Sequence, residues 1–169
     1  MVKIKVPKPS TKLLVVLFIS IIVIVSVIGW TLFLQDRDNP EGEKTQIIIE
    51  NHDEQNITVM AELATTPEER SKGLMYRESL CEDCGMLFVY GDNVTGGFWM
   101  KNTKIPLSIA FIAENGTILD IQQMEPETLD IHKPGVPYRY ALEVNQGFYE
   151  DNSIQEGDRV NIPEDIDAE

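Results

Sequence analysis

The sequence predicts a mainly β protein: an antiparallel β-sandwich of jelly-roll type with one short helix, preceded by a single transmembrane helix. Three observations predict this fold class. An uncharged apolar run stands near the N-terminus, many short runs rich in β-branched residues follow it, and turn signals separate those runs. Many short strands with little helix favour a sandwich or a barrel, in which the faces of the sheets are buried.

The apolar run from Leu13 to Leu34 predicts a membrane anchor. At about 1.5 Å per helical residue it would extend roughly 33 Å, which is enough to cross a bilayer. A cleavable signal peptide is the alternative. Its apolar region is usually about 7–15 residues long, however, and no A-x-A site follows this longer run. We therefore expect an uncleaved, single-pass anchor in the cell membrane.

The charges on either side of the run predict its orientation. Residues 1–12 carry four lysines and no acid, whereas the sequence QDRDNPEGE after the run is rich in acids. The positive-inside rule then keeps the N-terminus in the cytoplasm and places the rest of the chain outside. We expect four parts: a cytoplasmic tail 1–12, a transmembrane anchor 13–34, an acidic linker 35–44 and an exterior domain 45–169.

The part of the chain after the run is strongly acidic. It contains ten basic and twenty-eight acidic residues, a net charge of −18, which makes nucleic acid an unfavourable partner. Between residues 70 and 104, by contrast, there are five basic and four acidic residues, a net charge of +1. These cations either pair with nearby acids or line one locally positive cleft.

Strand candidates in the exterior domain surround one predicted helix. In chain order the strand candidates are TQIIIE, ITVMAEL, MLFVY, GFWMKN, LSIAFIA, TILDIQQM, YRYALEVN and RVNIP. The helix lies between the second and the third. We expect Thr66 as its N-cap, Glu69 as the capping-box partner and Gly73 at its end. The pair Asn115-Gly116 predicts a hairpin turn of the primed type.

Five motifs in the exterior domain resemble a known family. They are RSKGLMYR, GMLFVY, FWMKNTKIPL, IAFI and LEVNQG. Their order and spacing are similar to those of the bacterial and archaeal family named domain of unknown function 192, over roughly residues 57–162. The resemblance implies a single β-sandwich of jelly-roll type with a small helical element, often exported or membrane-tethered. It implies no established activity.

The chain departs from that family at two places. The family commonly has an acid after the Pro-Leu pair, where this chain has Ser108, and the pair Cys81/Cys84 is not part of the family pattern. The first departure argues against a carboxylate-based role at this position. The second argues against cysteine chemistry as the shared function of the family.

The run from Gly97 to Thr103 is either a binding surface or the end of a strand. As an extended strand it would place Trp99 and Lys101 side by side on one face, with Asn102 at the strand end. In the structural interpretation, the lysine stem merely covers the indole. In the functional one, the indole, the cation and the amide form a recognition strip.

A cleft between this strip and the predicted helix is the candidate ligand site. We expect it to take a small anionic or polyhydroxylated ligand. Glu143 either belongs to this pocket or is solvated, and a glycosidase would need a second positioned acid that strand alternation does not supply. The candidate ligand-binding residues are Arg70, Arg77, Trp99, Lys101, Asn102 and Glu143.

Cys81 and Cys84 have the spacing of a redox pair, so an oxidoreductase must be considered. The two acids between the thiols disfavour a thiolate, and the βαβ context of thioredoxins is missing. We therefore expect a local disulfide in an exterior domain. His52 and His132 are single and distant in sequence, so we expect no metal and no other cofactor.

These observations favour a membrane-anchored exterior domain that binds a small ligand without catalysing a reaction. A thiol–disulfide oxidoreductase through Cys81 and Cys84 is one alternative, and it would require an exposed, reducible pair. A structural accessory of an envelope complex is another, and it would require a flat interaction patch instead of a pocket.

Overall fold

The computed structural model describes residues 44–163 and 165–168. The predicted cytoplasmic tail 1–12 and anchor 13–34 lie outside the described residues, as does the predicted linker up to residue 43. Within the described part of the chain, no helix has both the length and the apolar character needed to cross a bilayer.

Seven strands and two short helices form the described chain. They are β1 (Lys44–Glu50), β2 (Asn56–Ala64), α1 (Pro67–Lys72), β3 (Cys84–Val94), β4 (Leu107–Ile112), β5 (Ile118–Met124), β6 (Tyr138–Asn145), α2 (Phe148–Asp151) and β7 (Arg159–Asn161). The prediction of a mainly β domain with little helix is therefore confirmed. The single turn α2 is an addition to the one helix that the sequence predicts.

The strands form one mixed sheet in the order β5-β4-β6-β3-β2-β1-β7. Most neighbours are antiparallel, but β2 and β3 run parallel, with Glu62 opposite Met86. The expected antiparallel arrangement is therefore not confirmed for the whole sheet, and neither is the jelly-roll type. The strands form one curled sheet instead of the two packed sheets of a sandwich. The reason for the parallel pairing is the long connection between β2 and β3. It contains α1 and returns the chain to the end of the sheet at which β2 begins, as a parallel pair requires.

The sheet curls until its two edge strands meet. The N–H of Ile118 in β5 donates to the C=O of Asp158, and its C=O accepts from the N–H of Gly157, both at 2.9 Å. An isolated bridge also pairs Thr117 with Arg159 at the start of β7. These contacts cover part of both sheet edges, which otherwise would present unpaired backbone groups.

Each face of the curled sheet packs its own apolar cluster, because side chains alternate along a strand. The first cluster includes Ile47, Ile49, Val59, Leu87, Leu142 and Val144. The second cluster lies on the opposite face and includes Ala64, Phe88, Ile109, Phe111, Tyr138 and Ala141. Leu74, after α1, and Met100, before β4, also belong to the second cluster, so these two segments cover that face of the sheet.

The helix α1 begins and ends where the sequence predicts. The side-chain oxygen of Thr66 accepts from the N–H of Glu69 at 3.2 Å, and the Glu69 carboxylate accepts from the N–H of Thr66 at 3.0 Å. This is the reciprocal pattern of a capping box. Gly73 follows the last helical residue with a φ of 50°, which glycine adopts without a steric penalty.

The β4–β5 hairpin occurs at the predicted position but has a different turn. Of Asn115 and Gly116, only Gly116 has a positive φ, 85°, whereas both primed turn types need a positive φ at the first central residue. The N–H groups of Ala113 and Gly116 donate to Thr117 and Ala113 respectively, each at 2.9 Å. The hairpin therefore has a three-residue loop that ends in a left-handed glycine.

The prediction that GFWMKN forms a strand is wrong. Within it, Phe98 alone makes a ladder contact, an isolated bridge to His132 with two hydrogen bonds of 2.8 Å. The chain then turns, and Asn102 has a φ of 58°. The composition of this run resembles that of a strand, but the facing segment supplies only one bridge, so no ladder forms. Trp99 and Lys101 are exposed and Met100 is buried.

Candidate functional site

A cleft opens over the face of the sheet that carries the second apolar cluster, between α1 and the loop that precedes β4. Its volume is about 410 Å³, within the range of roughly 300–1000 Å³ that is typical of small-molecule sites. Its side chains come from four parts of the chain. They include Arg70, Ser71 and Lys72 from α1, Phe88 and Tyr90 from β3, Phe98 and Trp99 from the loop, and Glu143 from β6.

Glu143 is the carboxylate of this cleft. It pairs in the sheet with Met86 of β3 and Ile109 of β4, and it is only 5% exposed. Among the described residues, none donates a hydrogen bond to its carboxyl group, and no basic side chain forms an ion pair with it. Burial raises the pKa of Glu143 to about 8, because loss of solvent disfavours the charged form.

Arg70 is fixed at the side of the cleft by the backbone. Its Nη1 donates to the C=O of Val89 at 2.9 Å and also to the C=O of Thr65. Its guanidinium carbon lies 5.1 Å from the centre of the Tyr90 ring. Both hydrogen bonds leave from Nη1, and a guanidinium carries five N–H donors. Among the described residues, none accepts a hydrogen bond from its Nε or Nη2, so a ligand in the cleft could use these donors.

Arg77 lies outside the cleft, in a buried ion pair. Its Nη1 and Nη2 donate to the two carboxylate oxygens of Glu62 at 2.7 and 2.5 Å. Arg77 is 8% exposed and Glu62 is 5% exposed. This bidentate arrangement neutralises the charge of Arg77 inside the protein. The structure therefore does not bring Arg77 together with Arg70 and Glu143.

The three predicted residues of the loop have different positions. Trp99 lines the cleft and is 46% exposed. The Nζ of Lys101 lies 5.2 Å from the centre of the Trp99 ring, but Lys101 does not line the cleft. The Asn102 side chain donates to the hydroxyl of Tyr76 at 2.9 Å, and its C=O accepts from the N–H of Tyr76 at 2.8 Å. Asn102 therefore joins the two segments that border the cleft.

Sequence reasoning missed the aromatic part of the cleft. The rings of Phe88 and Phe98 pack edge to face with centres 4.8 Å apart, and Tyr90 packs in the same way against Tyr138 at 5.8 Å. Burial raises the pKa of Tyr90. Strand alternation places Met86, Phe88 and Tyr90 on one face of β3, but only the pairing of Met86 with Glu143 shows that this face borders the cleft.

Ser108 lies on the other side of the sheet from the cleft. It is fully buried, and its hydroxyl donates to Oε1 of Gln123 at 2.8 Å and accepts from the N–H of Gly147 at 3.1 Å. Its sheet partner is Val144, which belongs to the first cluster, whereas the neighbouring Ile109 is the partner of Glu143. An acid at this position would therefore contact the opposite face, away from the cleft.

Cys81 and Cys84 are joined as a disulfide, with Cα atoms 5.0 Å apart. Cys84 is 2% exposed and begins β3. The side-chain nitrogen of Asn145, at the end of β6, donates to the C=O of Cys81 at 2.8 Å. The disulfide loop is thereby attached to the strand that carries Glu143. Within the described part of the chain, no group of three or more His, Cys, Asp or Glu side chains could hold a metal ion.

Comparison with known proteins identifies the family of this domain. The model of the family domain of unknown function 192 (DUF192), described as an uncharacterised ACR, matches residues 47–162. The chain belongs to the DUF192 family. Every residue that lines the cleft lies within the matched range, so the cleft is part of the DUF192 domain. No curated protein matches the chain.

Two crystal structures are similar to this DUF192 chain. One is of a proposed transcription regulator from Sinorhizobium meliloti, with 33% identity, a TM-score of 0.69, and coverage of 73% of this chain and 96% of that chain. The other is of a protein of unknown function from Novosphingobium aromaticivorans, with 28% identity and the same TM-score, covering 73% of this chain and 90% of that chain.

Proposed function

We propose that this DUF192 protein binds a small polyhydroxylated or anionic ligand in the cleft without catalysing a reaction. The observation that carries this proposal is Glu143, a buried carboxyl group that lines the cleft and has no hydrogen-bond partner among the described residues. Unlike the Nε of Arg139, the carboxyl oxygens of Glu143 are not sealed off from solvent, so a molecule in the cleft can reach them. A ligand hydroxyl would then supply the hydrogen bond that the protein does not.

The protonation of Glu143 supports a ligand with hydroxyl groups. With a pKa of about 8, the carboxyl is mostly neutral at pH 7, so it can both donate and accept a hydrogen bond. Hydroxyl groups also do both. Phe98 and Trp99 add aromatic surface against which the apolar face of a ring can pack.

The arrangement of carboxylates favours binding over glycoside hydrolysis. Glu62 and Glu143 both stand opposite Met86, one on each neighbouring strand, so two strand spacings of roughly 5 Å separate them. Arg77 holds both oxygens of Glu62, however, and Glu62 does not line the cleft. The second acid that a glycosidase needs is thus already bound to an internal cation.

We also propose that the DUF192 domain lies outside the cell, tethered by a single span at residues 13–34. The support is the uncharged apolar run and the four lysines before it. The regulator description of the Sinorhizobium relative does not transfer to this chain, because a net charge of −18 after the span opposes binding to nucleic acid.

A cleft-blocking variant tests the binding proposal. Ser71 is an exposed residue of α1 that lines the cleft, so Ser71→Trp should fill the entrance without disturbing the core. Glu68→Trp is the matched control, since Glu68 is exposed on the same helix but does not line the cleft. The full chain, the blocked variant and the control are each incubated with a small-molecule extract and washed, and the retained compounds are identified by mass spectrometry.

We expect the parent chain and Glu68→Trp to retain the same hydroxyl-rich compounds, and Ser71→Trp to retain none of them. Equal retention by all three proteins would place binding elsewhere. An absence of retained compounds on the parent chain would refute the binding proposal.

A further inference from the structure

We propose that the ligand of the cleft is an acidic sugar, a pyranose ring that carries a carboxylate. This inference rests on the proposed function, because it specifies the class of molecule that the cleft takes. It follows from the chemical difference between the two sides of the cleft: α1 supplies cations and the sheet supplies an uncompensated carboxyl group.

The cations of α1 are the first side of the cleft. Arg70 and Lys72 both line it, and among the described residues neither forms an ion pair with an acid. Other cations of the locally positive region are already compensated: Arg77 is bound to Glu62, and Lys104 is bound to Glu78. Lys101 also forms no ion pair among the described residues, but it packs on Trp99 and does not line the cleft. Within the cleft, the positive charge is therefore concentrated at the α1 side, where it suits a carboxylate.

Glu143, on β6, forms the second side of the cleft. Its carboxyl offers no positive charge to an anionic group but can exchange hydrogen bonds with hydroxyl groups. The charged end of a ligand therefore belongs near α1, and its hydroxyl groups belong near β6. Tyr90 connects the two sides. The centre of its ring lies 5.1 Å from the guanidinium carbon of Arg70, and Tyr90 belongs to β3, which pairs with the strand that carries Glu143.

The walls between the two sides are aromatic. Phe88, Phe98 and Trp99 line the cleft together with Tyr90, so a ligand that reached from α1 to β6 would have to lie against aromatic rings. A pyranose ring has an apolar face of C–H groups for such a contact and hydroxyl groups at its edge. A simple anion lacks the apolar face, and a neutral sugar lacks the negative charge. An acidic sugar has the apolar face, the hydroxyl groups and the charge.

The test uses five defined probes with the full chain in a detergent that has no sugar headgroup. D-Glucuronate and D-galacturonate are compared with D-glucose and D-galactose, and acetate serves as a carboxylate without a ring. Dissociation constants are obtained from saturation-transfer NMR titrations. We expect at least one uronate to bind about ten-fold or more tightly than its neutral parent sugar, and more tightly than acetate by a similar factor.

Two lysine variants assign the carboxylate to α1. Lys72→Met removes a cation that lines the cleft, and Lys101→Met makes the same change outside it. We expect Lys72→Met to weaken uronate binding about ten-fold and to leave the binding of the neutral sugar unchanged, whereas Lys101→Met changes neither. Circular dichroism melts confirm that both variants are folded.

Three results would overturn the inference. The neutral sugars could bind as tightly as the uronates, acetate could bind as tightly as either, or no probe could bind although the Ser71→Trp comparison identifies a ligand of other chemistry. In each of these cases a ligand still occupies the cleft and the proposed function stands. If no probe binds and the parent chain retains no compound in that comparison, the proposed function fails as well.

Discussion

At the scale of single residues, the partner of a charge decides what the charge can do. Arg77 and Arg70 are both cations in or near α1. Arg77 donates its hydrogen bonds to Glu62. Arg70 donates through Nη1 to backbone carbonyls and lines the cleft. A buried arginine that is paired in this way stabilises a particular packing arrangement and is not available to a ligand.

The first prediction concerns this ion pair. Arg77→Met should lower the free energy of unfolding by roughly 3–5 kcal/mol, because it leaves the buried carboxylate of Glu62 without a partner. The double variant Glu62→Gln/Arg77→Met should recover part of this loss, since it also removes the unpaired charge. Urea denaturation of the three proteins measures both effects. If Arg77→Met is as stable as the parent chain, the pair does not exist in the folded protein.

Sequence patterns identify some residues of the cleft and not others. Alternation along YRYALEVN separates Glu143 from the apolar set on that strand, and an indole near a cation draws attention to Trp99; both line the cleft. The sequence wrongly assigns Arg77 to the cleft, because it shows the charge of Arg77 but not that Glu62, 15 residues earlier, binds this charge. Tyr90 is missed because its link to Glu143 depends on the pairing of β3 with β6.

At the scale of elements, the disulfide loop is held by more than its covalent bond. The side chain of Asn145 donates to two carbonyls in this loop, those of Cys81 and Glu82, and to the carbonyl of Leu80 just before it. The loop closed by Cys81 and Cys84 spans only four residues. Chain-entropy arguments therefore assign the disulfide about 2 kcal/mol of stabilisation, less than a long-range bridge would give.

The second prediction follows from this short loop. Cys81→Ser/Cys84→Ser should lower the free energy of unfolding by about 2 kcal/mol or less and should leave ligand retention intact, because Asn145 still holds the loop. Asn145→Ala is the companion variant. It should cost roughly 0.5–1.5 kcal/mol, the net value of a hydrogen bond, because water can reach the exposed loop carbonyls. Disulfide reductase activity in the parent chain that disappears in the double serine variant would instead support the oxidoreductase alternative.

Most strands can be predicted from composition and turn signals, but their partners cannot. Seven of the eight strand candidates correspond to strands of the described chain, while GFWMKN forms a loop with one bridge. Its residues have strand propensity, but a strand also needs a ladder partner, and the segment around His132 supplies only one contact. The parallel pairing of β2 with β3 likewise depends on the path of the chain through α1, which no short pattern specifies.

At the scale of the whole molecule, charge predicts where the protein is located. The third prediction is that protease added to intact cells without an outer barrier will digest the DUF192 domain and spare the tail 1–12. The reason is the asymmetry between four lysines before the predicted span and an acidic chain after it. Epitope tags at both ends, detected by immunoblotting, provide the measurement. A domain that becomes sensitive only after the membrane is broken would reverse the orientation.

The pH dependence of stability tests most directly whether Glu143 is a buried carboxyl without a partner. The free energy of unfolding is measured for the parent chain and for Glu143→Gln across pH 4 to 9. The ordinary pKa of the carboxyl is 4.5, and burial raises it to about 8 in the folded state. Below pH 4.5 the group is neutral in both states, so it adds no pH dependence.

Between pH 4.5 and about 8 the unfolded chain ionises at Glu143 while the folded chain stays neutral, which stabilises the unfolded state. The parent chain should therefore lose stability relative to Glu143→Gln as the pH rises, by on the order of a few kcal/mol, with no further change above that range. Other carboxylates are common to both proteins and cancel in the difference. A difference that stays constant from pH 4 to 9 would mean that the carboxyl is solvated or paired, and would contradict its role in the cleft.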